Sequence, residues 1–73
     1  MNKIESNMLV MVNGQDLYVQ PGTTIAGLLV QLNITQIAVA VELNLQVQPK
    51  TTFAKRVLRP DDRVEIVSLV GGG

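Results

Sequence analysis

Pro21-Gly22-Thr23-Thr24-Ile25-Ala26-Gly27-Leu28-Leu29-Val30-Gln31-Leu32-Asn33 is the stretch on which the fold turns. Its apolar residues Ile25, Leu28, Leu29 and Leu32 fall at i, i+3, i+4 and i+7, the spacing of one helical face. Either threonine can cap the start by accepting a hydrogen bond from a backbone N–H of the first turn. Asn33 suits the stop, because asparagine tolerates the left-handed conformation that ends many helices. Gly27 inside the run costs about 1 kcal/mol relative to alanine. The helix therefore depends on docking its leucine face against something else.

Strand-like segments lie on both sides. Met8-Leu9-Val10-Met11-Val12 is a continuous apolar run followed by Asn13-Gly14, a dipeptide suited to the positive φ angles of a tight hairpin, and Leu17-Tyr18-Val19 supplies the returning strand. Pro21-Gly22 ends that strand, since proline withholds a ladder donor. Beyond the helix, Ile37-Ala38-Val39-Ala40-Val41 reads as a buried strand and Leu45-Gln46-Val47 as a short neighbour stopped by Pro49. Residues 52–57 suit a brief helical turn around Phe53, and Pro60-Asp61-Asp62 a type I turn with proline in its preferred second position. Arg63-Val64-Glu65-Ile66-Val67-Ser68-Leu69-Val70 is the last strand, and Gly71-Gly72-Gly73 follows it.

A lone amphipathic helix among strands buries its stripe only against one face of their sheet, which predicts an α+β fold: a mixed sheet with one main helix packed on one face. Seventy-three residues leave room for one domain. The expected organisation is a loose extension over residues 1–7, a folded domain over residues 8–70 and a flexible glycine tail over residues 71–73.

Composition narrows the chemistry. Six basic and six acidic residues give a net charge of zero, which removes the broad attraction that nonspecific binding to nucleic acid or an acidic membrane relies on. There is no histidine and no cysteine, so the usual general base, the usual soft nucleophile, disulfides and thiolate metal sites are all missing. No apolar run is long enough to span a bilayer or to act as a signal peptide, and the expected compartment is the cytoplasm. Asp61, Asp62 and Glu65 could be imagined around a hard cation, but two acids after a proline read as a solvated turn. Lys55, Arg56, Arg59 and Arg63 form a small basic cluster with no aromatic beside it, which reads as solvated surface.

With glycine near 7% of average usage, three in a row at a given place have a chance probability of roughly 0.0003, so the tail asks for a cause. Residues without a Cβ let a chain end thread a narrow channel and leave a terminal carbonyl open to attack. A frayed polar end and an expression scar are the competing explanations. The strand before the tail weighs on the choice. If Val64 and Ile66 point into the core, period two puts Arg63, Glu65, Val67 and Leu69 on the opposite face, and the same test on the first strand leaves Leu9 and Met11 facing out. Apolar residues gathered on the face without the helix mark a docking surface. That reading fails if the inward and outward faces are exchanged, or if residues 49–59 cover the face.

Taken together, Asn13-Gly14, Pro21-Gly22-Thr23-Thr24 ahead of Leu28-Leu29, Val39-Ala40-Val41-Glu42-Leu43-Asn44, and Val64-Glu65-Ile66-Val67 running into Val70-Gly71-Gly72-Gly73 resemble the ThiS family of sulfur carriers, over residues 8 to 73. The resemblance implies a ubiquitin-like β-grasp fold and a role as protein co-substrate, not as enzyme. It implies that an E1-like adenylyltransferase of the ThiF type spends ATP to activate the carboxylate of Gly73, with no cofactor bound by the chain itself. A persulfide donor then supplies sulfur, and the thiocarboxylate delivers it to a thiazole synthase of the ThiG type for thiamin biosynthesis. On that pattern Gly71 and Gly72 thread the tail, and Leu9, Met11, Val67 and Leu69 are the candidate docking residues; no nucleic acid and no membrane is a partner. The sequence departs from the family's pattern at Leu45, where glycine or a polar residue is common after Asn44, at Asp61, where glycine commonly precedes Asp62, and at Gly27, usually a better helix former. Two other readings stand beside this one: a MoaD-type carrier serving molybdopterin, less favoured by the triple glycine and the short chain, and a ubiquitin-like interaction module whose terminus is never activated.

Overall fold

The computed structural model describes residues 7–35 and 38–69. The expectations for residues 1–6, for Ile37 and for residues 70–73 lie outside the described residues. Among the described residues five strands form one sheet: β1 (Met8–Val12), β2 (Gln15–Val19), β3 (Val39–Leu43), β4 (Gln46–Gln48) and β5 (Arg63–Ser68). Their order is β2-β1-β5-β3-β4. β1 and β5 run parallel, and every other neighbouring pair is antiparallel. The α-helix α1 (Ile25–Gln31) packs on one face. This is the mixed-sheet β-grasp arrangement expected from the sequence.

The helix forms for the reasons visible in its sequence. Thr24 is the N-cap, its hydroxyl accepting from the Gly27 N–H at 3.0 Å. At the other end Asn33 adopts φ +59°, while its N–H donates to the Val30 carbonyl and the Ile34 N–H to the Leu29 carbonyl. Those two bonds are the Schellman pattern, and they satisfy carbonyls the helix would leave open. Ile25 and Leu28 are fully buried, and Leu29 and Leu32 pack at the edge of the same cluster.

The core beneath the helix is assembled from every other strand residue: Val10 and Val12 of β1, Val19 of β2, Val39, Val41 and Leu43 of β3, and Val64 of β5. Each such side chain contributes roughly 1.5–3 kcal/mol relative to exposure. Phe53 and Leu58 complete the cluster from the segment between β4 and β5. That segment opens with a 3₁₀ turn over Lys50–Thr52, so the helical turn expected at residues 52–57 begins earlier, immediately after Pro49. It is joined to the start of the helix by Ile25 N–H to Arg56 C=O, Ala26 N–H to Phe53 C=O and Leu58 N–H to Thr23 C=O.

Two local expectations are corrected. Leu45 belongs to no strand. Leu43 pairs with Gln46, so Asn44 and Leu45 are the two central residues of a hairpin turn, at φ +52° and +70°. Positive φ at both positions is the type I′ geometry that matches the twist of the flanking strands. Asp61 also lies at φ +70°, in the turn closed by the Asp62 N–H to the Arg59 carbonyl at 3.1 Å. A type I turn does not permit that angle at its third position, whereas a type II turn requires it, so the turn is type II. Among the described residues no helix is long and apolar enough to cross a membrane.

Candidate functional site

Period two and the pairing register together define the face of the sheet that the helix does not cover. On β5 it carries Arg63, Glu65 and Val67. On β3, Ala40 stands opposite Val67 and Glu42 opposite Glu65, and Val47 of β4 lies beside Glu42. Leu69 follows the end of β5, its N–H donating to the Ala38 carbonyl at 2.7 Å. Val47, Val67 and Leu69 are 70%, 54% and 56% exposed. Val67 and Leu69 thus form an exposed apolar pair where β5 ends, while Val47 lies two strands away, level with Glu65.

Leu9 and Met11 share this face but stand apart from that pair. Both are half-buried, opposite Tyr18 and Asp16 of β2. Met11 stands level with Arg63, four residues before Val67 on β5, a separation of about 13 Å along the strand. Arg63 and Glu65 intervene. Of the four candidate docking residues, then, the structure gathers Val67 and Leu69 and sets Leu9 and Met11 apart. The reading of the first and last strands did not bring in Val47 or Tyr18, the latter 59% exposed. The same alternation applied to Leu17-Tyr18-Val19 and to the strand at Val47 is the signal that finds them.

The face is open for a physical reason. Residues 49–59 place Phe53 and Leu58 in the core and bond to the helix start, so this segment lies on the helix side and does not cover the outer face. Val64 and Val10 are fully buried, which gives the strands the orientation that exposes Val67 and Leu69.

The remaining candidates resolve into structural roles. The Asp62 carboxylate accepts from the Arg59 N–H at 2.7 Å and from the Asn44 side-chain amide at 3.0 Å, while the Asn44 side-chain oxygen accepts from the Arg63 N–H at 2.9 Å. These bonds tie the β3–β4 turn to the start of β5. No group of three or more metal-ligating side chains occurs among the described residues. Arg63 of the basic cluster belongs to the outer face, whereas the Arg56 carbonyl accepts from the Ile25 N–H at the start of the helix. A cleft of about 310 Å³ lies between the β1–β2 turn and the helix C-terminus, lined by Val12, Leu17, Leu32 and Ile34 with Asn13, Gln15 and Asp16. It holds no titratable pair or nucleophile. What the described residues present is an exposed apolar pair, Val67 and Leu69, at the end of the strand that precedes the glycine run in sequence.

The family model described as ThiS family matches residues 10–73, a span that includes the glycine run. The chain is 39% identical over 66 residues to a thiazole synthase of Magnetococcus marinus, covering 90% of this chain and 20% of that protein. It therefore spans about a fifth of the length of that relative. It is 27% identical to the sulfur carrier protein ThiS of Escherichia coli, covering 90% of this chain and all of that one. The crystal structure of the thiamine biosynthesis protein ThiS from Geobacter metallireducens superposes with a TM-score of 0.78 at 32% identity, over 90% of this chain and the whole of the other.

Proposed function

This chain belongs to the ThiS family, and from that premise we propose that it is a sulfur carrier for thiamin biosynthesis whose working group is the carboxylate of Gly73. The observation that carries the reading is the extent of the family match, which runs from Val10 through Gly73 and so includes Val67, Leu69 and the glycine run. The absence of cysteine fits it as well, because a carrier without a thiol has to hold its sulfur elsewhere.

The chemistry follows from the residues. A carboxylate is a poor electrophile; attack by its oxygen on the α-phosphorus of ATP in an E1-like, ThiF-type partner expels pyrophosphate and leaves an acyl-adenylate. A persulfide donor then displaces AMP at the Gly73 carbonyl, and a second thiol cleaves the resulting S–S bond to leave the thiocarboxylate. Gly71 and Gly72 let the chain end enter a narrow channel, since no Cβ widens it. Val67 and Leu69 dock the partner, with Val47 two strands away at the edge of the same face, and Leu9 and Met11 form a second, separate contact area. The chain is a co-substrate in this scheme, with no cofactor of its own, and it works where the partner finds ATP, in the cytoplasm.

A thiazole synthase of the ThiG type is the proposed acceptor. In Magnetococcus marinus a segment similar to this chain is part of the same polypeptide as a thiazole synthase. Joining two modules in one chain raises their effective concentration, which is useful only when they act on each other.

Intact-protein mass spectrometry of the chain incubated with the adenylyltransferase, a persulfide donor and ATP tests the proposal. Replacement of one terminal oxygen by sulfur on the peptide ending in Gly73 is the expected result. An unmodified terminus, with the partner enzymes active on another carrier, refutes it. Removal of Gly72 and Gly73 is expected to abolish loading while leaving the thermal midpoint unchanged; full biological function after that deletion would point to an interaction module instead.

A further inference from the structure

β1 and β5 lie side by side, but they are not equally long. The β1 ladder to β5 ends at Val12 opposite Val64, because the chain turns away at Asn13 and Gly14 into β2. β5 continues to Ser68 with β3 on its other side. At the point where the main chain of β1 departs, the Asn13 side chain takes its place. Its Oδ1 accepts from the Ile66 N–H at 2.7 Å and its Nδ2 donates to the Ile66 carbonyl at 3.3 Å, while the Asn13 N–H donates to the Val64 carbonyl at 2.9 Å. The side-chain amide thus acts as a substitute peptide group. It supplies both halves of the next rung and grips β5 two residues beyond the reach of the β1 register.

Only asparagine meets both demands of this position. The residue sits at φ +50°, a conformation that glycine, asparagine and aspartate tolerate best. It also needs one donor and one acceptor on a side chain short enough to reach the neighbouring strand. Glycine meets the backbone demand alone. Aspartate keeps the acceptor but sets a second oxygen against the Ile66 carbonyl.

The geometry points to Asn13 as a positioning residue for the tail. A strand bonded along one edge can swing about that ladder; here β3 pairs with one edge of β5 and the Asn13 amide holds the other at Ile66, which fixes the plane of the strand and with it the direction in which β5 runs on to Leu69. This inference rests on the carrier reading, since direction matters only if the end must arrive at a reaction centre. Docking through Val67 and Leu69 governs the affinity of the carrier for its adenylyltransferase, whereas tail direction governs turnover within the complex. Asn13 therefore acts on kcat and not on KM.

The test compares the wild-type chain with Asn13→Gly and Asn13→Asp, well below their thermal midpoints. Two readouts are used: kcat and KM of the carrier in adenylation, and NMR order parameters of the Val67 and Leu69 amides in the free chain. For Asn13→Gly the expectation is a loss of roughly tenfold in kcat with KM unchanged, and lower order parameters at both amides. Asn13→Asp falls between. A kcat within twofold of wild type overturns the proposal, and so do unchanged order parameters. A rise in KM alone does as well, because it would mean that Asn13 touches the partner directly. Absence of turnover by the wild-type chain counts against the carrier reading instead, and the order parameters then still judge the bracing by themselves.

Discussion

Leu45 adopts φ +70° in the middle of the β3–β4 turn, with 89% of its surface exposed. For an L-residue with a Cβ the left-handed region costs about 1–2 kcal/mol, and the monomer recovers none of it through burial of the leucine side chain. Replacing Leu45 by glycine removes the clash. It also frees the unfolded chain, which costs about 0.5–1 kcal/mol in additional entropy. The balance is a net stabilisation of about 0.5–1 kcal/mol. For a domain of this size, where 1 kcal/mol shifts the midpoint by about 4–8 °C, the expected rise is roughly 2–8 °C. Urea and thermal unfolding of Leu45→Gly and Leu45→Ala form the assay. Alanine keeps the Cβ and therefore the strain, so it is expected to leave the midpoint nearly unchanged. A glycine variant less stable than wild type, or an alanine variant as stabilised as the glycine one, would refute the reasoning.

Other outcomes follow from the same structure. Gly27→Ala is expected to stabilise by about 1 kcal/mol in urea titration, because the added methyl would lie 3.5 Å from the nearest atoms of Thr23 and Thr24, an ordinary contact. Leu28→Ala empties a fully buried position under the helix and is expected to cost about 2–5 kcal/mol, enough to threaten folding of so small a domain. Leu69→Asp is expected to weaken binding to the adenylyltransferase, measured by calorimetry, with a thermal midpoint close to wild type because the side chain is more than half exposed; unchanged affinity would remove Leu69 from the docking surface.

The parts of the fold that depend on neighbours in the chain were legible before any coordinates. The helix over Ile25–Gln31, its threonine cap and its asparagine stop are local signals, as is the Asn13-Gly14 turn, and period two correctly oriented Val10, Val12 and Val64. Two turns misled because their residues were untypical. A leucine at φ +70° carries no turn signal, so the sequence places Leu45 in a strand, and an aspartate where glycine is common conceals the type II turn at Pro60-Asp61.

Local pattern alone yields the set of elements, the face each turns inward, and a glycine run following an apolar strand. These rest on steric and hydrophobic preferences that act within a few residues. Only the tertiary structure decided that β5 lies between β1 and β3, that Val67 joins Leu69 and not Met11, and that Asn13 grips Ile66 across 53 residues of chain. Strand order and register are pairings between distant segments, and the energy that selects them comes from filling one shared core, which no local pattern contains.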